Sequence, residues 1–444
     1  MRGFLASSIG VTCAAALALP LTLPAAAAPA PAPAVQPASG ARSASTTAAP
    51  DLPGSTQSLP LTPRTRDRTL GAAPEQGLTR ADVHRFSLVG VTWTDPDTEL
   101  RGQVQVRTRA TGTGEWSGWQ DIDTHNEDHG ADPGTAERDS GHVHGSTAPL
   151  WVGDSDGVDV RVRATGAATR TAGVVEEQLP PLPTGLHLEL VDPGAAEAPL
   201  AGAGATTNRN RTATPRLAAT EIPALSKQAT ERDMVALGAK AQPYIGPRPR
   251  IVTRHGWGAD EKLREKGFVY TKKVKAAFVH HTATGNNYRC SQAPSVIRGI
   301  YRYHVKSSGW RDIGYNFLVD KCGTIYEGRA GGVAKAVMGA HTLGFNTNSM
   351  GIAVLGTFGS AKPSSAAVTA IAKLTAWKLG LYGVNPRGKT YLKSGGGNLY
   401  RKGKNVRLNV ISGHRDGFAT ECPGRQLYGK LGSARSTSAR YQGR

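Results

Sequence analysis

Two stretches of this 444-residue chain order their apolar positions as folded elements do. Between 84 and 194, apolar and polar residues alternate with a period of two in FSLVGVTW, GQVQVRTRA, VDVRVRATG and LHLELVD, each run bounded by Gly, Asp or Pro. Successive strand side chains point to opposite faces, so this pattern predicts short, half-buried strands and a small all-β, sandwich-like domain. Trp93, Trp116, Trp119 and Trp151 supply core mass or a stacking surface for it.

The second stretch, 246–432, mixes periods. AAFVHHTAT reads as an apolar strand ending on His280 and His281. Pro294 and Ser295 open a helix with Val296, Ile300, Tyr303 and His304 at helical spacing. IGYNFLVDKCGTIYEGR predicts two strands joined by a turn over 320–323, and MGIAVLGTF is apolar enough for a strand buried on both faces. Ser364 and Ser365 precede AAVTAIAKLTAWKLG, an amphipathic helix that Gly380 can close, and NVISGH is a further strand delivering His414 at its end. Interleaved strands and helices predict an α/β fold, a central mixed β-sheet flanked by helices.

Between these stretches the composition changes. Residues 29–83 are dominated by Ala, Pro, Ser and Thr, and 195–245 repeat the theme. Neither carries enough apolar mass to bury a core, so both are expected to be disordered linkers. Residues 433–444 read as a disordered basic tail. Residues 1–28 have one early arginine, an Ala/Leu-rich run interrupted by Pro20 and Pro24, and a small-residue exit at 26–28. That layout predicts a cleaved secretory signal peptide. No later run is long and apolar enough to span a bilayer, so a secreted, wall-associated monomer is expected.

Charge and cysteines sharpen this picture. The formal net charge of +19 suits an anionic partner. The Lys and Arg residues are dispersed and form no recognised nucleic-acid module, which argues against nucleic acid and for anionic wall polymers. Once Cys13 leaves with the signal, Cys290, Cys322 and Cys422 remain, an odd number for an oxidising compartment. His280 or His281 ends one strand, His414 ends another, and Cys422 follows His414 by eight residues. Imidazole and thiolate are ligands that zinc prefers, and a catalytic site takes three of them and leaves one position open. A thiolate held by a metal escapes disulfide capture, which would let Cys422 coexist with an oxidised Cys290–Cys322 pair. A buried free thiol among satisfied loop histidines fits the spacing equally well.

The segments TRHGWGA, FVHHTAT, YRYHVKSSGW, DIGYNFLVDKCGTIYEGR, GAHTLGFNTNSMGIAVLGTF and GHRDGFATECPG, in this order over 250–426, resemble the zinc-dependent N-acetylmuramoyl-L-alanine amidases of the peptidoglycan recognition protein type. The resemblance does not extend to the β-rich domain or the linkers. It implies a zinc ion held by His280, His414 and Cys422, with Tyr315 beside the site and Thr420 where the family has a threonine or lysine. It implies cleavage of the amide between the lactyl group of N-acetylmuramic acid and L-alanine. The same groove without chemistry would make a peptidoglycan-binding protein; members that only bind lack the cysteine, which is present here.

Other polar residues carry weaker readings. His341 could contact a stem peptide or hold its own loop, and Asn346 and Asn348 could serve peptide contact or turns. His304 reads as structural, Trp257 and Trp377 as core, and Asp416 and Glu421 as supports of the ligands or as solvated charges. In the β-rich domain, His142 with His144, and Asp154, Asp156 and Asp159, are explained more cheaply by polar loops than by a metal.

Overall fold

The strand Leu150–Ala164 organises the N-terminal domain. Its second half buries Val158, Val160 and Val162 completely and pairs antiparallel with Glu75–Arg80 on one side and Gly102–Ala110 on the other. Its first residues pair instead with Phe86–Trp93, with a register shift between Phe86 and Leu88. The nine-stranded sheet bends about this strand and closes on one core that includes Val104, Val106, Leu188 and Leu190. The expected half-buried strand Phe86–Trp93 is buried at every position. A second layer, the C-terminal domain, covers the face that a lone sheet would leave wet.

The computed structural model describes residues 54–64, 74–124, 128–171, 174–178, 180–195, 219–236 and 244–444. The signal peptide expected over 1–28 lies outside these residues. Three linker assignments need correction. Within 29–83, Ser55–Pro60 pairs along its length with His187–Asp192, and Glu75–Arg80 joins the sheet. Within 195–245, Glu221–Ile222 pairs with Ile251–Val252, and Lys227–Ala236 forms a helix whose first turn is held by the Ser226 hydroxyl, accepting from the Ala229 N–H. The tail is the helix Leu431–Gln442, packed on Ser365–Gly380 through small residues, with a Ser438–Thr375 hydroxyl contact of 3.0 Å. The strands are ordered by backbone pairing and the tail by close small-residue packing, neither of which needs an apolar period, while Lys227–Ala236 is anchored by Met234 in the core and by Thr230, which accepts the Arg248 N–H.

The C-terminal domain carries a seven-stranded sheet in the order Glu221–Ile222, Ile251–Val252, Ile325–Glu327, Phe317–Val319, Ser349–Val354, Ala276–His281, Ile411–Gly413. The last three strands run parallel to one another, while Phe317–Val319 and Ile325–Glu327 form an antiparallel hairpin. Asp320 closes that hairpin by accepting the Cys322 and Thr324 N–H groups on Oδ1. Cys290 and Cys322 form a disulfide that ties the helix Ala293–Arg302 to this turn. Helix Ser365–Gly380, capped by Ser364 through the Ala367 N–H, covers one face of the sheet. Ala293–Arg302 covers the other. Trp257 and Trp377 are core residues. Among the described residues no helix is long and apolar enough to cross a membrane.

The two domains share an apolar cluster: Leu88, Trp151 and Val191 from the β-rich domain pack with Val296, Ile297 and Tyr303. The Tyr303 hydroxyl reaches the carbonyls of Val91 (3.3 Å) and Thr147 (3.1 Å) across the junction. Gly90 lies against the Tyr303 ring so closely that a Cβ there would overlap it. Tyr303→Phe is expected to lower stability by about 1 kcal/mol through the lost hydrogen bond. Gly90→Ala is expected to cost more, about 1–3 kcal/mol, through overpacking. Urea unfolding of both variants tests this, and a Gly90→Ala protein as stable as its parent would show that the domains do not meet here.

Candidate metal centre

Parallel pairing of Ala276–His281 with Ile411–Gly413 sets Val279 opposite Gly413, so the next residues, His280 and His414, stand side by side with ring centroids 4.4 Å apart. After His414 the chain makes a short 3-10 turn, held by Asp416, which accepts the Gly413 N–H on Oδ2 and the Tyr428 hydroxyl on Oδ1. It returns to bring the Cys422 sulfur 3.8 Å from Nδ1 of His280. The Thr420 hydroxyl fixes this return by accepting the Cys422 N–H at 3.1 Å. His281, the alternative ligand, turns away: its Nδ1 accepts the Phe358 N–H.

A fourth donor was not foreseen. His129, from the β-rich domain, reaches into the same place, its ring centroid 4.6 Å from that of His414 and 5.3 Å from that of His280. The ligand atoms of His129, His280, His414 and Cys422 all lie within 4.8 Å of one another, and all four residues are buried. Nothing in the sequence links His129 to the others. It sits in HNEDHGADPG, a polar stretch of a domain outside the family resemblance, with no spacing to the other ligands.

The arrangement fits a metal ion. Nε2 of His129 and Nδ1 of His414 are buried without a hydrogen-bond partner among the described residues, although buried polar atoms are nearly always paired. Three imidazole nitrogens and a thiolate are a donor set suited to zinc. The hydrogen bonds set the tautomers accordingly. Asp128 Oδ1 lies 2.7 Å from Nδ1 of His129, which leaves Nε2 as the free lone pair. Nε2 of His280 lies 3.2 Å from Nδ1 of His341, and Nε2 of His341 lies 3.4 Å from the Ser349 hydroxyl, which donates to the Phe345 carbonyl. Protons on the two Nε2 atoms satisfy this chain and leave Nδ1 of His280 as an acceptor facing Cys422. Such outer partners orient metal-binding imidazoles.

Burial disfavours the charged form of three of these rings. Burial holds His280 and His341 well below the usual imidazole range, and burial pulls His414 down to about 3 although Asp128 opposes it. Burial alone would raise the Asp128 carboxyl, but the neighbouring His129 and His414 outweigh it and keep Asp128 below the usual carboxylate range. Burial, helped by the Asp128 charge, pushes the Cys422 thiol well up, so a thiolate here needs a cation beside it. Tyr315, packed edge-on to His129 and tilted against His280, is also pushed well above its usual range by burial and remains a phenol.

The remaining sequence candidates fall into place by contact. His341 and Asn346 are completely buried. His341 supports His280, and Asn346 accepts the His341 and Thr342 N–H groups on Oδ1, so in this structure both hold the loop. Asn348 occupies a left-handed turn position at φ 59°. His304 accepts the Gly314 N–H and stacks on Trp310. Glu421 is an exposed partner of Arg415. His142 and His144 are exposed, and Asp154, Asp156 and Asp159 pair with Arg85, Arg109 and the Arg64/Arg107 pair respectively.

Residues 270–425 match the family model described as N-acetylmuramoyl-L-alanine amidase, and residues 41–181 match one described as Rv3811 N-terminal galactose-binding domain-like. Peptidoglycan-recognition protein SC2 of Drosophila simulans is 31% identical over 41% of this chain and 84% of its own length. Peptidoglycan-recognition protein SC1a of Drosophila melanogaster is 33% identical over 42% of this chain and 87% of its own. Together with the amidase-type domain around this cluster, these matches establish that the chain belongs to the peptidoglycan-recognition protein family.

Proposed function

We propose that this chain is a secreted zinc-dependent N-acetylmuramoyl-L-alanine amidase that hydrolyses the amide between the lactyl group of N-acetylmuramic acid and L-alanine in peptidoglycan. The observation that carries this reading is the convergence of His280, His414 and Cys422, with ligand atoms within 4.8 Å, at one end of the parallel strands. The family model over 270–425 and the retained cysteine support chemistry over binding alone. A zinc ion held by these three side chains supplies a Lewis acid for a carbonyl oxygen and acidifies water.

The protein's own groups do the rest. Tyr315, kept protonated by burial, is a permanent donor for the charge that develops on the carbonyl oxygen during attack. Neutral His341 holds the His280 ring through Nε2, which keeps Nδ1 directed at the metal position. Thr420 fixes Cys422 through its backbone N–H. The Cys290–Cys322 disulfide suits an oxidising compartment, and the net charge of +19 suits an anionic wall.

Incubating the full chain with purified cell walls should release new amino termini, and a chelator should stop the release until zinc is restored. Binding to walls without release would instead identify a non-catalytic recognition protein. Cys422→Ala is expected to lower zinc affinity at least about tenfold and to abolish turnover. Zinc content by elemental analysis checks the first, and wall digestion the second. Tyr315→Phe should retain zinc but lose roughly 10²–10³ in rate, the usual loss for one oxyanion donor. An unchanged rate would remove Tyr315 from the reaction.

A further inference from the structure

A site that cuts a polymer must admit it, yet here the cluster is sealed. His280 and His414 are completely buried, and Cys422 and Tyr315 are each 4% exposed. The cover is a segment of the β-rich domain. From 128 onward the chain leaves the sheet and lies along the C-terminal domain. Gly130, at φ +138°, makes the turn next to His129. Its carbonyl accepts from Nδ2 of Asn346 at 2.8 Å, and Oδ1 of Asp132 accepts from the same amide at 2.7 Å and from the Gly344 N–H at 2.8 Å. Farther along, Glu137 forms a two-pronged ion pair with Arg329, both contacts 2.8 Å, with side chains 2% and 4% exposed. Ala131 and Val143 close over Trp310 and Ala340.

Apart from that apolar patch, these contacts share one chemistry: carboxylates and carbonyls of the segment on N–H and guanidinium donors of the domain beneath. At their head, His129 presents a buried, unpartnered Nε2 to the other three ligands, its ring held by Asp128. We propose that segment 128–143 is an internal inhibitor: His129 supplies the fourth metal ligand, closes the coordination position that catalysis needs, and keeps the chain latent until the segment is displaced. This inference rests on the zinc amidase reading above. Catalytic zinc sites keep one position open and structural ones fill all four, so a removable fourth ligand switches one kind of site into the other. The ion pair that latches the segment is costly to break on one side, because the partner is left as a buried charge.

Cobalt(II), which reports coordination through its visible absorption, is the probe metal, with acetohydroxamate as a small exogenous ligand. The full-length parent is compared with His129→Ala and with Glu137→Gln, which keeps the imidazole but weakens the latch. The parent cobalt protein should show a closed four-ligand spectrum that acetohydroxamate leaves unchanged. His129→Ala should give a different spectrum that shifts with acetohydroxamate, at least about tenfold weaker zinc binding in chelator competition, and faster wall digestion than the parent. Glu137→Gln should respond to acetohydroxamate and digest walls faster too, because the observed rate scales with the open fraction. A parent that already responds to acetohydroxamate overturns the proposal, as does a His129→Ala protein with the parent's spectrum and zinc affinity. A changed spectrum with slower digestion overturns it as well, placing His129 in the reaction. If no protein digests walls while the cobalt responses appear as expected, the closed site stands and the hydrolase reading fails.

Discussion

The whole site depends on the parallel pairing of Ala276–His281 with Ile411–Gly413. Because both strands run the same way and end level, each places its next histidine at the same edge of the sheet. Parallel sheets buried on both faces require near-continuous apolar runs, and AAFV meets that requirement up to the residue before His280, while Val410 and Ile411 supply it in the shorter strand that leads to His414. A slip of one residue in Ala276–His281 would exchange His280 for His281 and point the ligand into the layer that now holds Phe358. Register in the hydrophobic core, more than any polar contact, selects which imidazole faces the cluster.

This explains which parts were legible from the sequence. The strands, the helix Ser365–Gly380 and the turn at Asp320 follow from apolar period and capping chemistry, and the structure contains them. The convergence of His280, His414 and Cys422 was legible as strand ends and spacing, but the choice of His280 over His281 was not. A strand buried on both faces carries no alternation to say which of two successive residues faces which layer.

What escaped reading did so for physical reasons. Ser55–Pro60 is an edge strand whose order comes from six consecutive backbone pairings with His187–Asp192, and STQSLP offers almost no apolar signature. The helix Leu431–Gln442 approaches its neighbour through Ala434, Ser438 and Ala439, whose smallness is the packing device and whose composition resembles a linker. His129 was invisible for a different reason. Its role is set by where the β-rich domain docks, and docking is a property of two finished surfaces. The full burial of Phe86–Trp93 belongs to the same class.

The seam between the domains has two unlike halves. Around Leu88, Trp151, Val191 and Tyr303 it is apolar and closely fitted, whereas around Asp132 and Glu137 it is built of ions and amides. Both halves are buried, but parting the first exposes apolar surface to no gain, whereas the charges and amides of the second can be taken up by water once they separate together. The seam can therefore part at its polar half while the apolar half stays shut, so the β-rich domain can remain seated as a scaffold beside a groove that has come uncovered.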